Sequence, residues 1–168
     1  MNPDDFSPIK EWTSGFPGAG LDHVDFLTDR TGIAEWLAFQ RVFRPRFVRY
    51  RGCTLREQPG GRELVDRLLA QCGGDVRAVE GFLNRLVLAD VIHCDAGEEI
   101  DRALSAVADA LRASWRGALA DAFPGEEFEV WAVETDDGPV VGFLSREPMA
   151  QDGPVTGTTS RDPLSHHG

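Results

Sequence analysis

A regular apolar stripe between residues 100 and 122 is the feature that most constrains the fold of this chain. Apolar side chains recur there every three or four residues, at Ile100, Leu104, Val107, Leu111, Trp115, Ala118 and Ala122. This spacing predicts one face of an α-helix of about 24 residues, which has to pack against another part of the chain. Asp95 is the predicted N-cap, with Glu98 at the capping-box position, and Pro124 ends the helix.

Shorter patterns predict the other elements of the fold. Alternating or continuous apolar residues predict strands at residues 21–28, 47–56, 86–93, 127–135 and 140–146, the last two joined by a turn of about four residues. Helical spacing predicts further helices at residues 32–43, 62–72 and 76–84. The order of elements predicts an α+β fold, with a mostly antiparallel sheet of about five strands and helices packed on one face. Four aromatic residues are predicted to lie in its core: Trp36, Trp115, Trp131 and Phe143.

The two ends of the chain differ in composition from its middle. Residues 1–20 hold three prolines and three glycines without periodic apolar spacing, which predicts an irregular N-terminal arm. Its large apolar residues are expected to lie against the domain or a partner: Phe6, Ile9, Trp12 and Phe16. Residues 148–168 are mainly Gly, Pro, Ser, Thr, Asp and His, which predicts a disordered tail. Residues 21–147 are therefore predicted to form a single domain.

Charge is distributed unevenly along the chain, whose net charge is −11. Two basic and seven acidic residues occur in 1–40, ten basic and five acidic in 41–85, and five basic and sixteen acidic in 86–168. An acidic total disfavours binding to nucleic-acid backbones and to anionic membranes, which both require an excess of positive charge. A basic protein is the partner that this composition favours.

Several features indicate a soluble protein of a reducing compartment. The first twenty residues contain no basic segment followed by an apolar run, and no stretch approaches the ~20 apolar residues that cross a bilayer. Cys53, Cys72 and Cys94 are odd in number and irregularly spaced, which argues against a disulfide framework. The expected location is the cytoplasm.

Arginine and aromatic residues alternate around residue 50. On a strand over residues 47–56, Arg49 and Arg51 share a face with Cys53, opposite Tyr50. Two guanidinium groups converging on one spot suit a carboxylate or phosphate, so Arg49, Arg51, Tyr50 and His23 are candidate ligand-binding residues for an anionic small molecule. The alternative is that the two arginines pair with acidic residues of the C-terminal hairpin, namely Glu127, Glu129 or Glu134.

Candidate catalytic residues cluster near the end of the predicted strand 86–93. Asp90 interrupts an apolar run, so a buried Asp90 would be a general acid unless it pairs with Arg85. His93 and Cys94 are sequence neighbours and point to opposite faces of a strand. A nucleophile and base would therefore have to combine Cys94 with His23, or His93 with Cys53. The alternative is a buried small cysteine and a surface histidine.

No cofactor or metal motif is present in the sequence. His23, Cys53, His93 and Cys94 offer suitable ligand atoms, but none of them stands at the short spacing that structural zinc sites use. Two functions remain open. The first is a small acidic binding or accessory protein that engages a basic protein partner. The second is a small enzyme or ligand-binding protein with a pocket between sheet and helices for an anionic small molecule.

Overall fold

Six α-helices and five β-strands make up residues 1–146, the part of the chain that the computed structural model describes. The helices are α1 (Ser7–Ser14), α2 (His23–Arg30), α3 (Ile33–Phe43), α4 (Gly61–Gln71), α5 (Val76–Leu83) and α6 (Glu98–Ala122). The strands are β1 (Phe47–Tyr50), β2 (Cys53–Arg56), β3 (Leu86–Val87), β4 (Phe128–Thr135) and β5 (Gly138–Ser145). Short 3-10 helices span Pro3–Asp5 and Leu88–Asp90. The predicted α+β class is confirmed, and the predicted tail 148–168 lies outside the described residues.

The long helix α6 is the centre of the larger core. Trp115 is fully buried and packs edge-on against Phe143 of β5, with ring centroids 6.2 Å apart. The predicted stripe is confirmed over its middle, but its last member, Ala122, is exposed. Asp95 is not the cap, because α6 begins after Gly97, which offers no side-chain oxygen. Across residues 1–146, neither α6 nor any other helix combines the length and apolar character needed to span a membrane.

The strands form two small antiparallel sheets rather than one sheet of five. The first pairs β1 with β2, and the second has the order β3-β5-β4. Residues 47–56 form a hairpin, not a single strand, because Arg51 and Gly52 adopt positive φ angles of 53° and 82° and reverse the chain. The predicted C-terminal hairpin is confirmed, but its turn has two residues, Asp136 and Asp137, rather than about four, because Gly138 already pairs with Thr135.

Side chains of α5 occupy the gap between the two sheets. Glu80 and Asn84 lie one helical turn apart, and both are fully buried. Glu80 accepts hydrogen bonds from the backbone N–H groups of Thr54 in β2 (2.6 Å) and Ser145 in β5 (2.7 Å). Asn84 donates to the carbonyls of Thr54 (2.9 Å) and Phe143 (3.4 Å). Backbone groups of β2 and β5 thus bond to side chains instead of to each other. The predicted five-stranded sheet is therefore divided into sheets of two and three strands.

The β1–β2 hairpin packs against helices through one of its faces. The face toward α4 and α5 consists of Val48, Tyr50, Cys53 and Leu55. The opposite face lies toward α6, where Phe47 joins the larger core and the guanidinium of Arg56 lies 5.0 Å from the ring centroid of Trp115. The hairpin therefore packs against helices through one face and contacts the larger core through Phe47 and Arg56 of the other.

The N-terminal region is helical where a strand and an irregular arm were predicted. Residues 23–30 form α2 because Asp22 accepts the N–H of Asp25 (3.3 Å) and Asp25 accepts the N–H of Asp22 (3.1 Å), a capping box. Within the predicted arm, residues 7–14 form α1. Trp12 of α1 packs against Phe26 of α2, with ring centroids 5.7 Å apart. This contact agrees with the expectation that large apolar residues of this segment lie against the domain.

Candidate functional site

The predicted anion-binding residues do not share a strand face. Arg49 remains on β1, where it pairs with Glu126 and its guanidinium lies 4.6 Å from the ring centroid of Phe123. Arg51 lies in the hairpin turn, and its Nε is 3.1 Å from a carboxylate oxygen of Asp66 in α4. Each guanidinium therefore has its own carboxylate partner, and the expectation that both occupy one strand face is wrong.

Tyr50 also contacts an acidic residue. Its hydroxyl donates to Asp66 at 2.8 Å, so Tyr50 and Arg51 share one carboxylate. The acidic partners are Asp66 and Glu126 rather than the hairpin residues expected, because the turn at Arg51 directs that side chain toward α4. Three of the predicted ligand-binding residues, Arg49, Tyr50 and Arg51, nevertheless line one surface cleft of about 400 Å³. The cleft is also lined by Gly52, Thr54, Ser145, Arg146 and the acidic residue Glu126.

The candidate catalytic residues are exposed. Asp90 ends a 3-10 helix instead of lying in a buried strand, since the strand predicted over residues 86–93 has only two residues, Leu86–Val87. His93 and Cys94 follow it in an exposed loop. In the described part of the chain, no three histidine, cysteine or carboxylate side chains are placed to hold a metal ion.

The two residues proposed as spatial partners of this cluster have other neighbours. His23 begins α2, and its Nδ1 lies 3.0 Å from a carboxylate oxygen of Asp4, which also accepts the backbone N–H of His23 at 2.8 Å. The side-chain hydrogen bond with His23 lowers the pKa of Asp4. Cys53 is fully buried, and burial together with the nearby charge of Glu80 raises the pKa of its thiol. Burial favours the neutral thiol at Cys53 over the reactive thiolate.

Asp90 is exposed, whereas the fully buried carboxyl group within residues 1–146 is that of Glu80. Its Oε1 also accepts the Ser145 hydroxyl at 2.9 Å, so protein donors surround both oxygens. Glu80 was not among the predicted site residues, although its spacing of four residues from Asn84 on an otherwise apolar helix face was a usable signal. With all these donors from the protein itself, Glu80 has a structural role in joining β2 to β5.

Helix α3 presents an unusual apolar surface. All residues from 33 to 42 are exposed, and α3 contains no buried residue although most of its side chains are apolar. We name its large exposed apolar residues the α3 surface: Ile33 (77% exposed), Trp36 (49%), Leu37 (56%), Phe39 (44%) and Val42 (40%). Trp36 was predicted to be a core residue, and this expectation is wrong.

The C-terminal end of α3 is attached firmly to α6. The indole N–H of Trp115 donates to the carbonyl of Val42 at 2.9 Å, and the Ser114 hydroxyl donates to the carbonyl of Phe43 at 2.6 Å. Arg44, directly after the helix, pairs with Asp121. Because these contacts hold one end of the helix, the exposed apolar side chains are presented on an anchored element rather than on a loose segment.

A shallow apolar groove runs along α3. It has a volume of about 500 Å³ and is lined by Leu27, Trp36, Phe39, Gln40 and Phe43. Comparison with known proteins adds no relative to this description: no protein-family model matches the chain, and no curated protein or solved structure is significantly similar to it.

Proposed function

We propose that this protein is a small binding or accessory protein that engages a basic protein partner through its acidic surface. The observation that carries the proposal is that arginines of the basic segment, residues 41–85, pair with carboxylates of the same chain. Within residues 1–146, five arginines of this segment form ion pairs: Arg41 with Glu57, Arg44 with Asp121, Arg49 with Glu126, Arg51 with Asp66 and Arg77 with Glu129. This pairing reduces the positive charge that the segment offers to an incoming partner, while the whole chain keeps its net charge of −11.

A surplus of exposed carboxylates acts on a basic partner before contact is made. Complementary charge raises the association rate and rejects partners of the same sign. The exposure of Asp90, His93 and Cys94, which gives them no enclosed site, also favours binding over catalysis.

The test is the salt dependence of association with a purified partner. Proteins retained by the immobilised full chain at low salt are identified, and each association rate is measured between about 50 and 500 mM NaCl. We expect a positively charged partner whose association rate falls at least ~10-fold over this range, because salt screens exposed charges. A specific partner with an association rate independent of salt would contradict the proposal. An acidic protein of similar size is the matched control.

A second candidate function is the binding of an anionic small molecule in the cleft near residue 50. It is favoured by one observation, the convergence of Arg49, Arg51 and Arg146 on that cleft. Titration with inorganic phosphate and pyrophosphate tests it, using the double substitution Arg49→Ala with Arg51→Ala. Loss of anion binding with the fold intact would support this function. Loss of stability without any ligand effect would contradict it. Arg112→Ala on α6 is the control for removal of a partly exposed, paired arginine.

A further inference from the structure

We infer that the α3 surface is the docking site for an amphipathic helix of the basic partner, one that carries lysine or arginine beside its apolar face. This inference rests on the proposed function and specifies where and how the partner binds. Exposed apolar patches on an otherwise polar protein commonly mark interaction sites, and α3 exposes ten consecutive residues.

The groove has the dimensions and spacing of a helix-binding site. Trp36, Phe39 and Phe43 follow one another at intervals of three and four residues, so they form a continuous row along α3. The row from Trp36 to Phe43 extends for about 10 Å, roughly two helical turns. Leu27 of α2 forms part of the lining. An incoming helix with apolar residues at positions i, i+3 or i+4 and i+7 matches this row.

Because α3 is already folded and attached to α6, a partner can dock on it without ordering another segment of the chain. The hydrogen bonds from Ser114 and Trp115 hold the end of α3, and Phe43 packs against the larger core. A preformed site avoids the entropy that would be lost if the helix had to fold on binding.

The charge of the N-terminal region favours a basic occupant. Residues 1–40, which include α2 and most of α3, hold seven acidic and two basic residues, and Glu35 lies in the first turn of α3. At the other end of α3, the basic residues Arg41 and Arg44 are already paired with carboxylates. Basic residues on the incoming helix would therefore meet a region of net negative charge.

Charge also argues against two other occupants. A second copy of the chain would bring two strongly acidic N-terminal regions together, since residues 1–40 contain seven acidic and two basic residues. An anionic membrane would be repelled for the same reason. A basic amphipathic helix is the occupant that satisfies both the apolar row and its charged border.

The experiment measures binding of two labelled peptides of about 18 residues to the full chain by fluorescence anisotropy. One has leucine on one helical face and lysine elsewhere, and the other has glutamate in place of lysine. We expect the lysine peptide to bind at least ~10-fold more tightly than the glutamate peptide, because only its charge complements the border of the α3 surface. Trp36→Ala and, independently, Leu37→Lys should each weaken the lysine peptide at least ~10-fold.

The matched control is Phe82→Ala, which removes an aromatic residue that is 61% exposed on α5, outside the α3 surface. It should leave peptide binding unchanged. Equal binding by the wild type and both α3 variants, or an equal loss in Phe82→Ala, would overturn the inference. So would sedimentation of the wild type as a dimer that Trp36→Ala converts to a monomer, or preferential binding to vesicles of zwitterionic or anionic lipid.

Failure of this inference is distinguishable from failure of the proposed function. If a basic partner associates in a salt-dependent manner but Trp36→Ala and Leu37→Lys leave its affinity unchanged, the docking site is wrong and the proposed function stands. If the specific partner associates independently of salt, the proposed function fails whatever the lysine peptide does.

Discussion

Trp131 of β4 lies directly across from Gly142 of β5, and its benzo ring occupies the space that a side chain at position 142 would need. A Cβ atom on residue 142 would overlap three atoms of that ring. The Trp131 ring can therefore pack over the backbone of β5 only because residue 142 is a glycine.

Replacement of this glycine should destabilise the protein. We expect Gly142→Ala to lower the free energy of unfolding by about 1 to 3 kcal/mol, as overpacking substitutions do, because Trp131 has to move. Urea denaturation measures the change. Gly117→Ala is the control, since a Cβ there meets no atom within 4 Å in the middle of α6 and should raise stability by up to about 1 kcal/mol. Equal effects of both substitutions would contradict this account of Trp131.

Removal of the buried carboxyl group should cost more. Glu80→Leu leaves the N–H groups of Thr54 and Ser145 without their acceptor, and each unsatisfied buried donor costs about 1 to 3 kcal/mol. We therefore expect a loss of about 3 to 5 kcal/mol, measured by denaturation in urea. Glu63→Leu on the exposed side of α4 should change stability by less than about 0.5 kcal/mol. A small effect of Glu80→Leu would show that the sheets do not depend on this contact.

Two tryptophans in neighbouring helices should respond differently to the same substitution. Trp115→Ala should lower stability by about 3 to 5 kcal/mol, because it empties the centre of the larger core. Trp36→Ala should cost much less, since half of that side chain already faces solvent. Thermal unfolding of both variants measures the difference. A large loss for Trp36→Ala would mean that this residue supports the fold.

The contact between Asp4 and His23 predicts a pH effect at the N-terminus. The hydrogen bond from His23 lowers the pKa of Asp4 from its ordinary value of 3.8, so the contact stabilises the folded state above that value. Its contribution is lost as the pH falls through the lowered pKa of the folded state. NMR titration should find Asp4 ionised below pH 3.8, and His23→Ala should return its pKa toward 3.8. An unchanged titration in this variant would contradict the assignment.

The parts of the fold that sequence predicts are those set by local apolar spacing and by turn residues. Helix α6 follows from a stripe of seven residues whose period does not depend on the rest of the chain. The hairpin at Asp136 and Asp137 follows from its turn residues. The same local reasoning failed at residues 21–28, where alternating apolar residues predicted a strand but Asp22 and Asp25 form a capping box that begins a helix.

The candidate sites depended on relations that no local pattern contains. A turn separates Arg49 from Arg51. Arg51 itself takes the left-handed conformation in this turn, although residues other than glycine rarely adopt a positive φ. Apolar spacing in α3 indicated a helix with a face to cover, but spacing does not reveal whether the chain covers that face. The partners of Glu80 come from distant strands, so its spacing from Asn84 could indicate burial but not the residues that it contacts.

The position of Glu80 has a consequence for the rate of folding. Its hydrogen bonds reach 26 residues back to Thr54 and 65 residues forward to Ser145, and they are among the few links between the β1–β2 hairpin and the C-terminal hairpin. Each hairpin and its neighbouring helices can form from contacts close in sequence, whereas this junction requires two long loops to close. We therefore expect each hairpin, together with its neighbouring helices, to gain structure first. The contact between them through Glu80 should form last. Weakening the junction would then speed unfolding while leaving the folding rate nearly unchanged.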